Sequence, residues 1–217
     1  SLNQHEKQFL IDQLKKYGLE NKRVHYHKIW AVEEGKKFQN RIKDYIQQDV
    51  LALVVNFVDI LAHKSSQMDV LKEMVPDESG YRTAVRSWLE HSWLLQVLKK
   101  LSENNFTVIL TSDHGSIRVQ HDVMVAAGRE ASSGVRYKFG RNLNTREKNA
   151  LVIKEPEKFR LPSFGPQPSY IVAKDDIYFI YPNQAHKYRA KFKNSFQHGG
   201  ISMEEMMVPV VIMKGRG

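Results

Sequence analysis

The sequence predicts an α/β fold with a central, mostly parallel sheet and helices on its faces. The first observation is that patterns typical of strands and of helices alternate through the first half of the chain. The second is the run VLALVVNFVD, which is almost continuously apolar, as strands covered on both faces of a parallel sheet are. The chain of 217 residues, 41% of them hydrophobic, can build a substantial core, and without repeats or linkers we expect one domain.

Three stretches in the first half carry apolar residues at helical spacing, and three others have the composition of strands. The predicted helices are 3–17, 36–48 and 81–102. The predicted strands are 23–30, 50–58 and 106–110. Gly18 ends the first helix in this prediction, because glycine commonly follows the last helical turn. Since strands and helices alternate, the strands are expected to pair in parallel through helical connections.

The pattern weakens over 116–170, which we interpret as a cap or long insertion. Short strands are predicted there in VMVAA, VRYKF and ALVIK, followed by a stretch with several prolines. Beyond it the sequence predicts a hairpin over 169–182 that turns at Lys174–Asp176, and then a basic helix over 183–193. A capping-box pattern from Ser202 to Glu205 precedes the final predicted strand, VPVVIM.

Composition limits the kind of site and partner. The chain has no cysteine, which excludes a disulfide framework, thiolate ligands and a cysteine nucleophile, and a reducing, cytoplasmic location is expected. Any bound metal must therefore be held by histidine and carboxylate groups. The net charge of +9 indicates an anionic partner, such as a phosphorylated ligand or nucleic acid, or else a basic but inert surface. No apolar run approaches the ~20 residues that span a bilayer, so membrane insertion is not expected.

Aspartate and histidine residues follow apolar runs in three separate stretches. Asp59 comes just past the second predicted strand, with His63 four residues on. Asp113 and His114 follow the third strand in TSDHGS, and His198 stands in FQHGG. Because ligands bind at the carboxyl ends of strands in open α/β sheets, these stretches can converge. If residues 59–63 form one helical turn, the i, i+4 pair lies on one face and can clamp one ion.

Each stretch also has a purely structural interpretation. An aspartate after a strand is more often a helix cap or a turn residue, and a lone buried histidine is usually a core residue. In TSDHGS the glycine permits the turn that lets both polar side chains face one cavity, and the glycines after His198 relieve crowding. From the residues alone, a metal site and these structural roles both stay open.

The segments VDILAH, TSDHGS and QHGGISMEEMMVP resemble the alkaline phosphatase superfamily, and most closely its PglZ domains. With SGVRYKFGRN and the QHGGISMEEMMVPVV ending, the chain is also similar to effector domains of response regulators of the type IX secretion system. The resemblance covers most of the chain, with the motifs in the family's order. It implies two metal ions above a central sheet and a Thr or Ser nucleophile.

The resemblance also assigns metal ligands. It implies that Asp59, His63 and His198 hold one zinc ion, while Asp113 and His114 help to hold the other. The family's nucleophile and a further aspartate precede the first motif, and residues 1–50 contain no match to either. We therefore expect 1–217 to be a partial domain, without the first strand or strands, the nucleophile or the receiver domain, and inactive on its own.

The resemblance implies a two-zinc phosphodiesterase, with oligonucleotides among its substrates. Implied partners are a sensor kinase and either secretion-machinery or sigma-factor proteins, and a homodimer is a further expectation because a missing strand would expose a sheet edge. The alternative is a regulatory module that uses the same fold for interaction, without catalysis. The three motifs with predicted metal ligands are intact, which favours the enzyme over the regulatory module.

A basic stretch supplies candidates for substrate binding. SSGVRYKFGRN places cationic side chains around two aromatic ones, an arrangement that can hold phosphates while bases stack. The alternative is an ordinary half-buried strand with a solvated basic face. The candidate residues are Arg136, Lys138 and Arg141, with Arg118 and His121 as weaker ones.

Overall fold

The computed structural model describes residues 4–65, 68–125, 134–141, 143, 145, 148–163 and 167–216. Its helices are α1 Glu6–Lys16, α2 Val32–Asn40, α3 Ile42–Tyr45, α4 Phe57–Ser65, α5 Asp69–Met74, α6 Glu78–His91, α7 Trp93–Glu103, α8 Ala185–Phe192 and α9 Met203–Met206. Its strands are β1 Val24–Ile29, β2 Val50–Val55, β3 Val108–Thr111, β4 Ile117–Arg118, β5 His121–Met124, β6 Tyr137–Arg141, β7 Ala150–Ile153, β8 Pro168–Ala173, β9 Ile177–Ile180, β10 Phe196–Gln197 and β11 Val210–Met213. None of the helices in these ranges is both long and apolar enough to cross a membrane.

The chain divides into two compact units, described separately below. The first comprises Ser1–Asp59, Val85–Ile109 and Ile212–Gly217. The second comprises Ile60–Ala84 and Leu110–Val211.

In the first unit β1 and β2 pair in parallel, in register from Val24 opposite Val50 to Ile29 opposite Val55. Helices α2 and α3 form the connection between them, as a parallel pair requires. The helix α2 approaches α7 closely at Gly35, where any side chain would overlap the ring of Trp93. The buried core of this unit comprises Ile29, Phe38, Ile42, Tyr45, Trp93, Leu94, Val97 and Leu101.

The predicted helix 81–102 is two helices. Ser92 has extended backbone angles, with φ −86° and ψ 166°, and its Oγ accepts a hydrogen bond from the Leu94 N–H at 3.3 Å. The serine therefore ends α6 and caps α7, because its hydroxyl satisfies an amide that the first turn leaves without a partner. The apolar spacing continues across Ser92, which is why periodicity alone predicts one continuous helix.

The second unit contains the strands of the predicted insertion. β6, β8 and β7 form an antiparallel sheet in that order, and β5 pairs with β9 in parallel. β6 and β7 overlap the strands predicted in VRYKF and ALVIK, and β5 overlaps the first two residues of VMVAA, whose last two residues lie outside the described part of the chain. These strands share sheets with later strands rather than forming a separate cap. Buried apolar side chains of β5, β8 and β9 fill the core between these sheets.

The predicted hairpin over 169–182 is wrong. β8 and β9 are both present, but β8 lies between β6 and β7 while β9 pairs with β5. The carbonyl of Asp176, in the connection, accepts a hydrogen bond from the Gln120 N–H at 2.9 Å, which brings β9 beside β5. All four residues of β9 are buried, so the strand suits an interior position.

The predicted α/β class agrees with the mixture of helices and strands, but the described strands do not gather into one central sheet. They form four two-stranded sheets and one three-stranded sheet, and β3 pairs with β11 in one of them. The pairs β1–β2 and β5–β9 are parallel, where long connections allow it.

Candidate metal centre

Helix α4 carries the first two predicted ligands. It begins at Phe57, directly after β2, so the turn expected at residues 59–63 is helical. Asp59 and His63 lie four residues apart and therefore face the same side of the helix. The boundary between the two units falls between Asp59 and Ile60, inside α4, and the helix itself sets the position of Asp59 relative to His63.

The pairing of β4 with β10 brings the other two histidines together. Ile117 lies opposite Gln197 and Arg118 lies opposite Phe196 in this antiparallel pair. His114 precedes β4 by three residues, and His198 directly follows β10, so both leave the pair at the same end. Hydrogen bonds between the Val119 and Asn194–Ser195 backbones extend the pairing at its other end.

Three histidine rings meet at this point in the second unit. The Nε2 atoms of His63 and His198 are 3.0 Å apart, with the rings inclined at 65°. The ring of His114 stacks on that of His198, with centroids 3.8 Å apart and an interplanar angle of 14°. Nitrogen ligands of a tetrahedral metal ion, bonded at 2.0–2.1 Å, lie roughly 3.3 Å apart. The separation of His63 and His198 is therefore close to that of two ligands of one ion.

The tautomer of His114 also suits a metal ligand. Its Nδ1 lies 3.0 Å from the carbonyl oxygen of Gly115. Because a carbonyl can only accept a hydrogen bond, the proton is on Nδ1, and the lone pair of Nε2 is available. A backbone carbonyl bonded to the second ring nitrogen is the usual way in which proteins orient a metal-binding histidine.

Helix α4 supplies a carboxylate as well as an imidazole. Asp59 lies one helical turn before His63 on α4, and its side chain is partly buried. His114 and His198, in the second unit, are also partly buried, which limits competition from water. Imidazole and carboxylate ligands together suit borderline divalent cations, so the residues fit the kind of ion that the sequence predicted.

Asp113 lies next to His114 and at the surface. Its side chain is 88% exposed, and Oδ1 accepts a hydrogen bond from the His114 N–H at 3.1 Å while lying 3.8 Å from His114 Nε2. The chain bends at Asp113, and the carboxylate bonds the adjacent amide rather than the amide two residues on that an Asx turn uses. The role of Asp113 as a ligand of a second ion stays a prediction.

Glycines allow the two histidine loops to pack closely. A Cβ at Gly115 would overlap the carbonyl oxygen of Glu204, and its N–H donates to the carbonyl of Glu205 at 2.8 Å. Gly199 has φ +106°, in the region that side chains disfavour. Together these glycines let the TSDHGS turn lie against the segment that follows His198.

Two of the predicted substrate-binding residues are not available to a substrate. The side chains of Arg136 and Lys138 are fully buried, so their assignment as phosphate contacts is corrected. The basic face of β6 points inward and Tyr137 points outward, the reverse of a solvated basic face. Burial is possible because Arg136 pairs with Glu205 and the Nζ of Lys138 lies 4.2 Å from the centroid of the Tyr181 ring.

The remaining candidates are at the surface. Arg141 is exposed, and partly buried Arg118 donates from Nε to the carbonyl of Asn194 at 3.3 Å. The imidazole of His121 is 72% exposed, with Nδ1 3.0 Å from Asp176. None of these three belongs to the described group of possible metal ligands, and their role in substrate binding stays a prediction.

Sequence reasoning missed the role of Glu205. The capping-box pattern singled out this residue, and its carboxylate does accept a hydrogen bond from the Ser202 N–H at 3.1 Å. The same carboxylate also neutralises Arg136, which is 69 residues away in the sequence. No local pattern could have paired them.

The buried Lys138 predicts a specific dependence of stability on pH. Burial lowers the pKa of this ammonium group from 10.5 to about 8. Between these two values the unfolded chain keeps a proton that the folded chain has lost, so this residue makes stability rise with pH in that window. Below pH 8 both states are charged and the full cost of burying the charge is present.

Lys138→Met is therefore expected to stabilise the protein at pH 7. The gain in free energy of unfolding should shrink by about 2 kcal/mol as the pH rises towards 10. A difference of one pKa unit is worth about 1.4 kcal/mol, and the Tyr181 ring offsets part of the cost of burying the charged ammonium group. Urea unfolding of both proteins at several pH values measures the difference. A difference that does not change with pH would contradict the explanation.

One family of known domains matches nearly the whole chain. The family model described as the BREX system PglZ alkaline phosphatase-like domain matches residues 1–213. No curated protein matches the chain. The family match spans nearly the whole sequence and includes all three motifs that supply the histidines. The chain belongs to the PglZ family of alkaline phosphatase-like domains.

Proposed function

We propose that this chain is the C-terminal part of a two-zinc phosphodiesterase domain, which is active in the full-length protein. Membership of an alkaline phosphatase-like family supports hydrolysis of the phosphoesterase type. The observation that carries the proposal is the convergence of His63, His114 and His198, whose rings come from three distant parts of the sequence. Phosphodiesters, including oligonucleotides, are the proposed substrate class.

The proposed ligands follow the motifs. Asp59, His63 and His198 hold one zinc ion, and Asp113 and His114 help to hold a second. The donor set supports zinc because imidazole and carboxylate groups bind it well and the chain has no thiolate. Zinc bound there supplies Lewis acidity toward phosphoryl oxygens.

The chain's own residues orient the ligands and attract the substrate. The carbonyl of Gly115 accepts a hydrogen bond from Nδ1 of His114, which leaves Nε2 as the nitrogen that can bind a metal ion. The net charge of +9 supports an anionic substrate, since an excess of positive charge raises the rate of encounter with polyanions.

We further propose a regulatory context. The domain acts as the effector of a cytoplasmic, PorX-type response regulator of the type IX secretion system, with a sensor kinase and secretion-machinery or sigma-factor proteins as partners. The similarity of the motif segments to such effector domains supports this. Homodimerisation is part of the proposal, supported by exposed apolar side chains on β3 and β11, including Ile109, Val210 and Ile212.

Zinc loading and substrate choice test the proposed function. The native full-length protein, stripped of metal and reloaded with zinc, is expected to hydrolyse bis-p-nitrophenyl phosphate faster than p-nitrophenyl phosphate. Metal content is measured on the same sample by mass spectrometry. Binding of zinc without hydrolysis of either ester would favour the non-catalytic regulatory module. A protein that binds no zinc would contradict the metal centre itself.

A further inference from the structure

A buried ion pair lies next to the candidate metal centre. The guanidinium of Arg136 contacts the carboxylate of Glu205 through two hydrogen bonds, Nε to Oε1 at 2.9 Å and Nη2 to Oε2 at 2.5 Å. The two side chains are 0% and 2% exposed. A third nitrogen of Arg136, Nη1, donates to the carbonyl of Ile177. The guanidinium is thus held from two directions, and the carboxylate is held with it.

The carboxylate of Glu205 also holds the loop that follows His198. Oε1 accepts from the Gly200 N–H at 2.8 Å, and Oε2 accepts from the Ser202 N–H at 3.1 Å. Each oxygen therefore binds one nitrogen of Arg136 and one backbone amide. Gly200 is two residues from His198, so this contact limits the positions that the imidazole can take.

The backbone of Glu205 reaches the other histidine loop. Its carbonyl accepts from the Gly115 N–H at 2.8 Å, and the carbonyl of Gly115 in turn lies 3.0 Å from Nδ1 of His114. One residue is therefore connected by hydrogen bonds to the loop of His198 and to the loop of His114.

We propose that Glu205, held by Arg136, is a positioning residue that sets the relative placement of His114 and His198 for metal binding. The inference rests on the proposed function because it takes these histidines as metal ligands. In this role Glu205 acts through the two histidine loops and not as a metal ligand.

Stability alone is a weak explanation for this pair. A well-packed apolar pair of similar volume is often as stabilising as a buried ion pair, because the charges must be desolvated. An apolar pair cannot accept the hydrogen bonds of Gly200 and Ser202, however. The contribution that only the ion pair can make is thus the placement of the loop after His198.

The test separates placement from stability with four variants of the full chain. Glu205→Gln keeps the volume but removes the charge and one acceptor oxygen. Arg136→Met with Glu205→Leu replaces the pair by apolar groups and leaves no unpaired buried charge. Asp122→Asn is the control for loss of an ion pair in the same unit. Asp122 Oδ2 lies 2.7 Å from Arg189 Nη2, and the two residues belong to β5 and α8 rather than to the two histidine loops. Ile153→Ala, at a buried position of β7, is the control for lost stability.

Zinc affinity is measured by competition with a chromophoric chelator, at a temperature where circular dichroism shows each variant folded. Glu205→Gln and the double variant are each expected to bind zinc about 10- to 100-fold more weakly, the usual effect of removing groups that orient metal ligands. Both controls are expected to bind zinc like the unaltered chain. In metal-free protein, the side-chain nitrogen resonances of His114 and His198 should shift in the two Glu205 variants and in neither control.

Unchanged zinc affinity and unchanged histidine resonances in the folded double variant would overturn the positioning role. An equal loss of affinity in Ile153→Ala would also overturn it, since the effect would then follow stability. These outcomes differ from failure of the proposed function, in which the unaltered chain itself binds no zinc.

Discussion

His198→Ala is expected to weaken zinc binding at least 100-fold, which corresponds to about 2.7 kcal/mol, and to abolish phosphodiester hydrolysis. The reason is the position of this residue among the three rings. His198 lies 3.0 Å from His63 through its Nε2 and stacks on His114 at 3.8 Å, so its removal affects the contacts of both. Zinc titration and hydrolysis of bis-p-nitrophenyl phosphate measure the two effects.

The matched control is His186→Ala. His186 is an exposed histidine on α8, in the same unit and outside the group of three rings. It should change neither zinc affinity nor activity. Full zinc binding by His198→Ala would show that the convergence of the rings serves packing alone, and the metal centre proposed here would be wrong.

Arg136→Met is expected to cause the largest loss of stability among the substitutions considered, about 3–5 kcal/mol in the free energy of unfolding. The substitution leaves the carboxylate of Glu205 buried without its cationic partner. Replacing Glu205 with leucine in the same chain should recover most of this loss, because no buried charge then remains. Chemical denaturation of the two variants and the unaltered protein provides the comparison.

The pH dependence of this loss follows from the pKa of Glu205. Burial raises this pKa, but the hydrogen bonds and charge of Arg136, with the amide of Gly200, outweigh it and hold the pKa below its usual value. In the unaltered protein the ionised carboxylate therefore stabilises the fold at pH values above the usual pKa of a glutamate. This stabilisation is lost as the pH falls through the lowered pKa.

Without Arg136 the balance reverses, and burial raises the pKa of Glu205. The deficit of Arg136→Met should be largest near neutral pH and should shrink as the pH falls and the carboxyl group takes up a proton. A deficit that stays constant from pH 7 to pH 4 would mean that lost packing, not the uncompensated charge, destabilises the variant.

Local patterns predicted most of the elements that carry the site. Residues 50–55 of the strand predicted at 50–58 form β2 in parallel pairing, as the composition indicated, but the end of that prediction is wrong because helix α4 begins at Phe57. The spacing of Asp59 and His63 correctly indicated one helical face, because an i, i+4 relation is a property of the helix itself. The bend in TSDHGS was likewise predictable, since the Asp113 carboxylate bonds the adjacent backbone amide.

Predictions failed where a partner lay far away in the sequence. The hairpin over 169–182 was wrong because the Asp176 carbonyl is bonded to the backbone of Gln120, and β9 pairs with β5 instead of β8. The cationic face of β6 was expected to meet solvent or substrate because Arg136 and Lys138 are polar. Their burial depends on Glu205 and Tyr181, which no local pattern associates with that strand.

The sequence by itself determined which residue types are available at the site, because a chain without cysteine must use histidine and carboxylate, and it placed them at the ends of apolar runs. Only the tertiary structure decided that rings 135 residues apart in the chain, those of His63 and His198, come within hydrogen-bond distance. The tertiary structure also decided that the side chain of Arg136 is buried. The physical reason is that spacing governs contacts within one helix or turn, whereas strand pairing and the neutralisation of buried charge depend on which distant segments fold together.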